Sequence, residues 1–297
     1  MTEEGTAPPR PDIELAPAPA AEGGEGESAR HGELTFIGTA TVLLRFGGFT
    51  VLTDPNFLHS GEKADIGLGL RVRRLTEPAM QVGNLPPLDL LVLSHFHGDH
   101  FDRTAERDLP RDLPIVTEPH AGRILRRKGF ERVVPLETWE RQRFTRGERS
   151  CSVESLPGRH SPRLLGPVVP PVMGSLLEFA DRGRTTLRVY VTGDTLYDER
   201  LGEIPARHPE IDLCVIHLGG TRLAGVLLTM DDAQGVRMLE LVKPRVAVPV
   251  HFDDYAIFRS PLEKFLRRAR DTGLSTRVRE LRRGETWAFE AGNEEAA

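Results

Sequence analysis

Two cysteines in 297 residues, Cys151 and Cys214, are too few for a disulfide framework. Each falls in its own strand-like segment, so both read as reduced core thiols. No run of about 18 apolar residues occurs, which excludes a membrane-spanning helix and with it stable membrane insertion. The opening "MTEEGTAPPR" carries acids and no apolar h-region, so no secretory signal is expected and a cytoplasmic location is the default. There is no G-x-S-x-G elbow, and Cys151 has no local histidine partner, which sets serine and cysteine nucleophiles aside.

A basic excess is missing as well. The formal charge is −5, and residues 1 to 30 alone hold seven acids against Arg10 and Arg30, leaving the rest formally neutral. A neutral body has no electrostatic footprint for nucleic acid. The clusters "RVRR" at 71 to 74 and "LRRK" at 125 to 128 read as solvated faces.

Residues 1 to 31 are rich in Pro, Ala, Gly and Glu without apolar periodicity, and are expected to form a disordered tail. One domain is expected over 32 to 290, with a second short tail at 291 to 297. "LTFIG", "TVLLRF" and "FTVLTDP" read as three strands. A long polar surface loop is expected from Asp54 to Pro87, then a buried strand at 88 to 93. Two helices are well marked farther on. "TMDDAQGVRMLELVKP" has Thr229 as its N-cap, and "SPLEKFLRRARDTG" has Ser260 as cap with Glu263 closing a capping box. Two β-rich runs, each followed by helix, predict an α/β body layered αββα.

The buried strand delivers "SHFHGDH", residues 94 to 100. In an extended segment His95 and His97 face one point while Phe96 turns into the core. Gly98 permits a sharp turn, past which Asp99 and His100 point to an adjacent spot. Imidazole and carboxylate together suit zinc, manganese or iron, and histidines at this density are costly to bury unless paired or ligated.

"HFHGDH" resembles the HxHxDH signature of the metallo-β-lactamase superfamily, and the resemblance extends from residue 33 to about 288. "LTFIGTATVLLRFGGFTVLTDPNF", "VYVTGDTLYD" and "PVHFDDY" look like successive motifs of the branch holding ascorbate-6-phosphate lactonases and N-acyl-phosphatidylethanolamine phospholipase D type enzymes. That resemblance implies a four-layer αββα sandwich and a site for two divalent ions, zinc foremost, manganese next and iron less so. It implies His95, His97 and His160 on the first ion. Asp99, His100 and His251 fall on the second, with Asp194 between them. Asp54 resembles the first superfamily motif and either supports the ligand loop or caps the turn before Pro55. Arg163 resembles an arginine of the branch and either pairs with an anionic group or lies on the surface. His217, in an apolar strand before "LGG", is a candidate substrate contact. Four other histidines, His31, His59, His120 and His208, read as incidental.

The implied chemistry is hydrolysis of an ester-like bond, a lactone or a phosphodiester, in a small-molecule substrate. A hydroxide shared by the two ions would be the nucleophile, and Asp99 would serve as ligand and catalyst. Alternatives from other classes are an iron-dependent oxidoreductase or sulfur dioxygenase of the superfamily and a non-catalytic metal-binding module. Asp253 and Asp254, after His251, would disfavour a highly anionic substrate unless they turn away from the site.

Overall fold

The computed structural model describes residues 10–17, 30–67, 69–161, 169–223 and 225–292. Two mixed sheets face each other. In spatial order one holds Thr286–Glu290, His31–Gly38, Thr41–Phe46, Phe49–Thr53, Leu90–Leu93, Ile115–Thr117 and Val133–Pro135. The other holds Ile13–Glu14, Arg141–Arg146, Arg149–Leu156, Gly174–Asp181, Arg184–Val191, Leu213–His217, Val246–Val250 and Arg277–Val278. Each sheet pairs antiparallel through its hairpins and parallel where longer crossovers intervene.

Strand alternation explains the layers. Leu90 and Val92 point between the sheets, where they join Phe36, Val51, Leu177, Val215 and Val248 in the central core. Leu91 and Leu93 point outward onto Ala105, Ala121 and Leu125, which belong to the helices Arg103–Asp108 and Pro119–Arg127. On the far side Cys214, Ile216 and Ala247 meet Val236 and Leu239 of the helix Asp232–Val242 and Phe265 of Leu262–Asp271. Strands buried on both faces need apolar runs such as "LLVL", and helices cover them. The result is the expected αββα order. Cys151 lies between the sheets and Cys214 under the helices; both are free, and burial pushes their thiol pKa values up.

Part of the expected tail is ordered. Ile13–Glu14 adds a parallel strand beside Phe144 and Thr145, Leu15 is buried in the central core, and Gln142 donates to the Pro11 carbonyl. A single leucine at an open sheet edge is enough to dock a short segment, although composition over a wide window hides it. The first strand of the domain starts at His31, one residue before the expected boundary.

Local capping also departs from expectation. Asp231 caps the helix Asp232–Val242 by accepting from the Gln234 N–H, while Thr229 accepts from Thr221 N instead. A carboxylate two residues closer to the first turn satisfies the orphan donors better than a threonine one turn out. Ser260 makes no capping contact to its own helix. Its hydroxyl accepts from Asp232 N and donates to Asp232 Oδ1, joining two helix starts.

Residues 55 to 87 are not merely a surface loop. Asn56, Phe57 and Leu58 are buried, and Lys63–Asp65 pairs with Arg71–Arg73 in a small hairpin. Arg74, read as part of a solvated cluster, is wholly buried. Its guanidinium donates to Asn56 O at 3.0 Å, to Asn56 Oδ1 and to Thr76 O at 3.0 Å, and lies 3.6 Å from Asp254 Oδ1. A buried cation persists only with such a counter-charge and carbonyls around it.

Candidate metal centre

The carboxyl ends of the parallel strands converge at one rim of the sandwich, where open α/β sheets generally present their sites. Leu90–Leu93 ends in Ser94 and the histidine motif. Asp54 follows Phe49–Thr53 with a left-handed φ of 36°, and His251 follows Val246–Val250 with φ 63°. Asp194 follows Arg184–Val191 after Gly193, whose φ is 62° and where an added Cβ would lie 2.9 Å from Met173 O. Only glycine admits that turn.

The seven residues expected as ligands come together. Donor atoms of His95, His97 and His160 lie within 4.8 Å of one another, and so do those of Asp99, His100, Asp194 and His251. All but half-buried His97 are buried. In the first group His95 Nε2 and His160 Nε2 are 3.0 and 3.3 Å from His97 Nδ1. In the second, His100 Nε2 is 3.2 Å from Asp194 Oδ2, and His251 Nε2 is 3.5 Å from both Asp99 Oδ2 and Asp194 Oδ2.

The opposite nitrogens are pinned. His160 Nδ1 donates to Leu228 O and His251 Nδ1 to Leu218 O, each at 3.1 Å, while His95 Nδ1 lies 3.0 Å from Ser94 Oγ. A backbone acceptor on one ring nitrogen leaves the other as a lone-pair donor, the arrangement typical of metal-binding histidines. Among the described residues Asp99 Oδ1, Asp194 Oδ1, His100 Nε2 and His251 Nε2 are buried without hydrogen-bond partners. Orphaned buried donors and acceptors that converge on one point fit a bound cation.

In the first group electrostatics agree with that geometry. Burial first, then neighbouring rings, push His95 well below the usual imidazole range, and burial with His160 brings His97 to about 3. His160 is lowered chiefly by burial. Neutral imidazoles are the ligating form. Although burial opposes it, His251 and His100 hold the Asp194 carboxyl well below its ordinary value. His100, by contrast, is raised by Asp194 and Asp99 against the effect of its burial.

Asp54 does not reach either group of facing atoms. Its Oδ1 accepts from Ser94 N at 2.8 Å and lies 3.6 Å from His100 Nδ1, so it braces the ligand loop. His217, expected to face substrate, is wholly buried behind that loop, its Nε2 on Asp54 Oδ2 at 3.3 Å and its Nδ1 3.3 Å from Thr192 Oγ1. Its inward position, on a strand buried on both faces, gives both ring nitrogens to protein partners. Arg163, with the first part of the apolar loop after His160, lies outside the described residues. Asp253 and Asp254 turn from the site. Asp254 accepts from Thr39 N, Thr76 Oγ1 and Arg283 Nε, and Asp253 pairs with Arg283.

Asn56 and Gly98 carry structural weight that no spacing announced. Gly98 N donates to Asp65 O at 2.7 Å and Gly98 O accepts from Asn56 Nδ2 at 2.9 Å, so both polar groups of that peptide unit's residue are held by the segment after Asp54. An added Cβ at Gly98 would lie 2.7 Å from Asp65 N. The glycine of the motif therefore serves a close backbone approach as well as a turn. Phe258 packs on the His251 ring with centroids 4.3 Å apart.

The family described as "Beta-lactamase superfamily domain" matches residues 50–252. The chain belongs to that family. Its curated relatives include UPF0173 metal-dependent hydrolases: one from Staphylococcus saprophyticus is 27% identical over 239 residues, covering 78% of this chain and 91% of the relative. Another, from Archaeoglobus fulgidus, is 28% identical over 260 residues, covering 86% and 99%. Among solved structures, an isothiocyanate hydrolase from Delia radicum gut bacteria superposes with a TM-score of 0.73 at 20% identity, over 87% of this chain and all of its own. A possible metal-dependent hydrolase from Veillonella parvula gives 0.72 at 20%, covering 86% and 98%. These similarities identify a metallo-β-lactamase superfamily hydrolase with the superfamily's fold. Among the described residues no helix is long and apolar enough to cross a membrane.

Proposed function

We propose that this hydrolase cleaves an ester-like bond in a small uncharged substrate, a lactone or carboxylic ester ahead of a phosphodiester, with two divalent ions, zinc foremost. The observation that carries the reading is the pair of adjoining donor groups, the second of which holds four buried atoms without a hydrogen-bond partner among the described residues. His95, His97 and His160 would hold one ion, Asp99, His100 and His251 the other, and Asp194 would lie between. Two such ions polarise a carbonyl or phosphoryl oxygen and bring a water's pKa toward neutrality. Asp99 Oδ1, unpaired beside the cluster, orients the attacking water and takes its proton, which then passes to the leaving oxygen. Asp54 and His217 hold the loop that carries Asp99.

The preference for an uncharged ester rests on the rim. Phe258 packs on His251 and, with Ile257 and Val72, against buried Leu58 and Tyr255, and the two aspartates after His251 pair with Arg74 and Arg283. An apolar ring against a ligand histidine, with both nearby carboxylates turned away, favours an apolar substituent over a phosphodiester. The test is turnover of zinc-loaded and manganese-loaded protein on lactones, carboxylic esters, phosphodiesters and thioesters, with metal content and an absorption spectrum of the purified protein. Lactone or ester hydrolysis dependent on zinc or manganese supports the reading. A coloured iron protein inactive on all four panels overturns it in favour of an oxidoreductase.

A further inference from the structure

A cavity lies at the end of the sandwich away from the metal-competent groups. It is lined by Leu213 and Val246, the first residues of strands whose other ends carry His217 and lead into His251. That separates it from the metal-competent cluster by the length of the strand, about 13 Å for four residues. Its volume is about 380 Å³, within the range of about 300–1,000 Å³ for small-molecule sites. The two sheets part here, at the edge where Arg277–Val278 ends one sheet and Thr286–Glu290 ends the other.

The wall is apolar. Leu187, Leu213, Val246, Trp287 and Phe289 line it, and Trp287 and Phe289 point inward by strand alternation. Trp287 is only 7% exposed, and its indole Nε1 is buried with no hydrogen-bond partner among the described residues. A native interior seldom leaves such a donor unmade. Most tryptophans in this setting pair with a backbone carbonyl; this one forms part of a cavity wall. At the mouth stand Asp212 and Glu290 against Arg245 and Arg277, with Arg245 Nε 3.7 Å from Asp212 Oδ1. Two charges of each sign select no ion.

We infer that this cavity is a binding site for an uncharged, largely apolar molecule with one hydrogen-bond acceptor, a ketone, ester or ether oxygen received by Trp287 Nε1. The size admits a compact ring system, the wall supplies burial, and the single orphaned donor supplies orientation. None of its lining residues belongs to the metal-competent groups, so the site does not depend on the hydrolytic reading.

The test uses the full chain and camphor, a compact neutral ketone, as probe. Trp139 and Trp287 are the only tryptophans, so a proton–nitrogen spectrum holds two indole signals and Trp139→Phe assigns them. Camphor is expected to move the Trp287 signal downfield and saturably, with the Trp139 signal still. Trp287→Phe keeps the apolar ring and removes the donor, and should weaken camphor binding, measured by calorimetry, at least fivefold. Ser275→Tyr narrows the mouth from an exposed position that the fold does not depend on, and should weaken binding tenfold or more. An unmoved Trp287 signal up to the solubility limit of camphor overturns the site. Undiminished affinity in Ser275→Tyr places the ligand elsewhere and overturns it too, and undiminished affinity in folded Trp287→Phe removes the role of the indole donor.

Discussion

Asp54 Oδ2 accepts from His217 Nε2 at 3.3 Å, while the same carboxylate's Oδ1 takes the Ser94 N–H at 2.8 Å. One buried acid thus ties a strand of the second sheet to the ligand loop of the first. Against the raising effect of its burial, His100 and His217 hold its pKa down to about 2, so it stays ionised. His217→Leu should leave Asp54 short of a partner and cost about 1–3 kcal/mol of stability. Because the loop is braced from behind, metal affinity should fall by about 10–100-fold. Denaturant titration and metal competition check the two effects; wild-type affinity in the variant would show that Ser94 alone fixes the loop.

Asp99→Asn retains the size and one oxygen donor but loses the charge that accepts a proton. Turnover at saturating zinc should drop about 10²–10⁴-fold with metal still bound. Turnover and metal content are measured on the same sample. Near-normal turnover at full occupancy would leave Asp99 with a ligand role only.

Metal content should follow the two donor groups separately. His97→Ala and Asp194→Ala are each expected to lower bound metal, Asp194→Ala more, because its carboxylate oxygens lie near both His100 and His251. Full occupancy in both variants, read by elemental analysis, would sink the ligand assignment.

The metal-free protein should lose stability as the pH falls below about 6.5, partly through His97. Its folded pKa is about 3, below the ordinary imidazole value, so between about 6.5 and 3 the unfolded chain binds a proton that the folded chain does not. Stability from this group is therefore complete above about 6.5 and declines as pH drops, by up to about 1.4 kcal/mol per pH unit. His97→Asn removes the titration, and unfolding of chelator-treated protein at pH 7 and 5 should show a shallower decline than wild type. An unchanged slope would mean that His97 titrates normally in the fold.

Leu15 offers a test of the segment that was expected to be a tail. It is 8% exposed and packs in the central core, so Leu15→Ala should destabilise the protein by about 2 kcal/mol. Removing residues 1 to 9, which precede the docked stretch, should change the melting temperature by far less. An equal melting temperature for wild type and Leu15→Ala would put residues 10–17 back in the tail.

The centre of the site was legible because its residues are contiguous. Strand alternation alone aims His95 and His97 at one point, and Gly98 alone turns the chain toward Asp99 and His100. The layered architecture was legible too, since runs such as "LLVL" and "LCVIH" are apolar at every position and so need cover on both faces. His160, Asp194 and His251 were named by resemblance to a family, since nothing local marks a histidine 60 or a histidine 150 residues downstream as sharing a site. What only the tertiary structure decided concerns partners from distant chain. Arg74 is charged and sits in an arginine cluster, yet it is buried because Asp254, 180 positions on, neutralises it. His217 occupies an apolar strand at the rim, yet faces inward because Asp54 crosses from the other sheet to meet it. Ser260 looks like a helix cap but serves the start of a different helix. Periodicity and turn chemistry act within a few residues, so they announce elements and contiguous motifs. The choice among several polar partners is made by whichever one folding brings within hydrogen-bond reach.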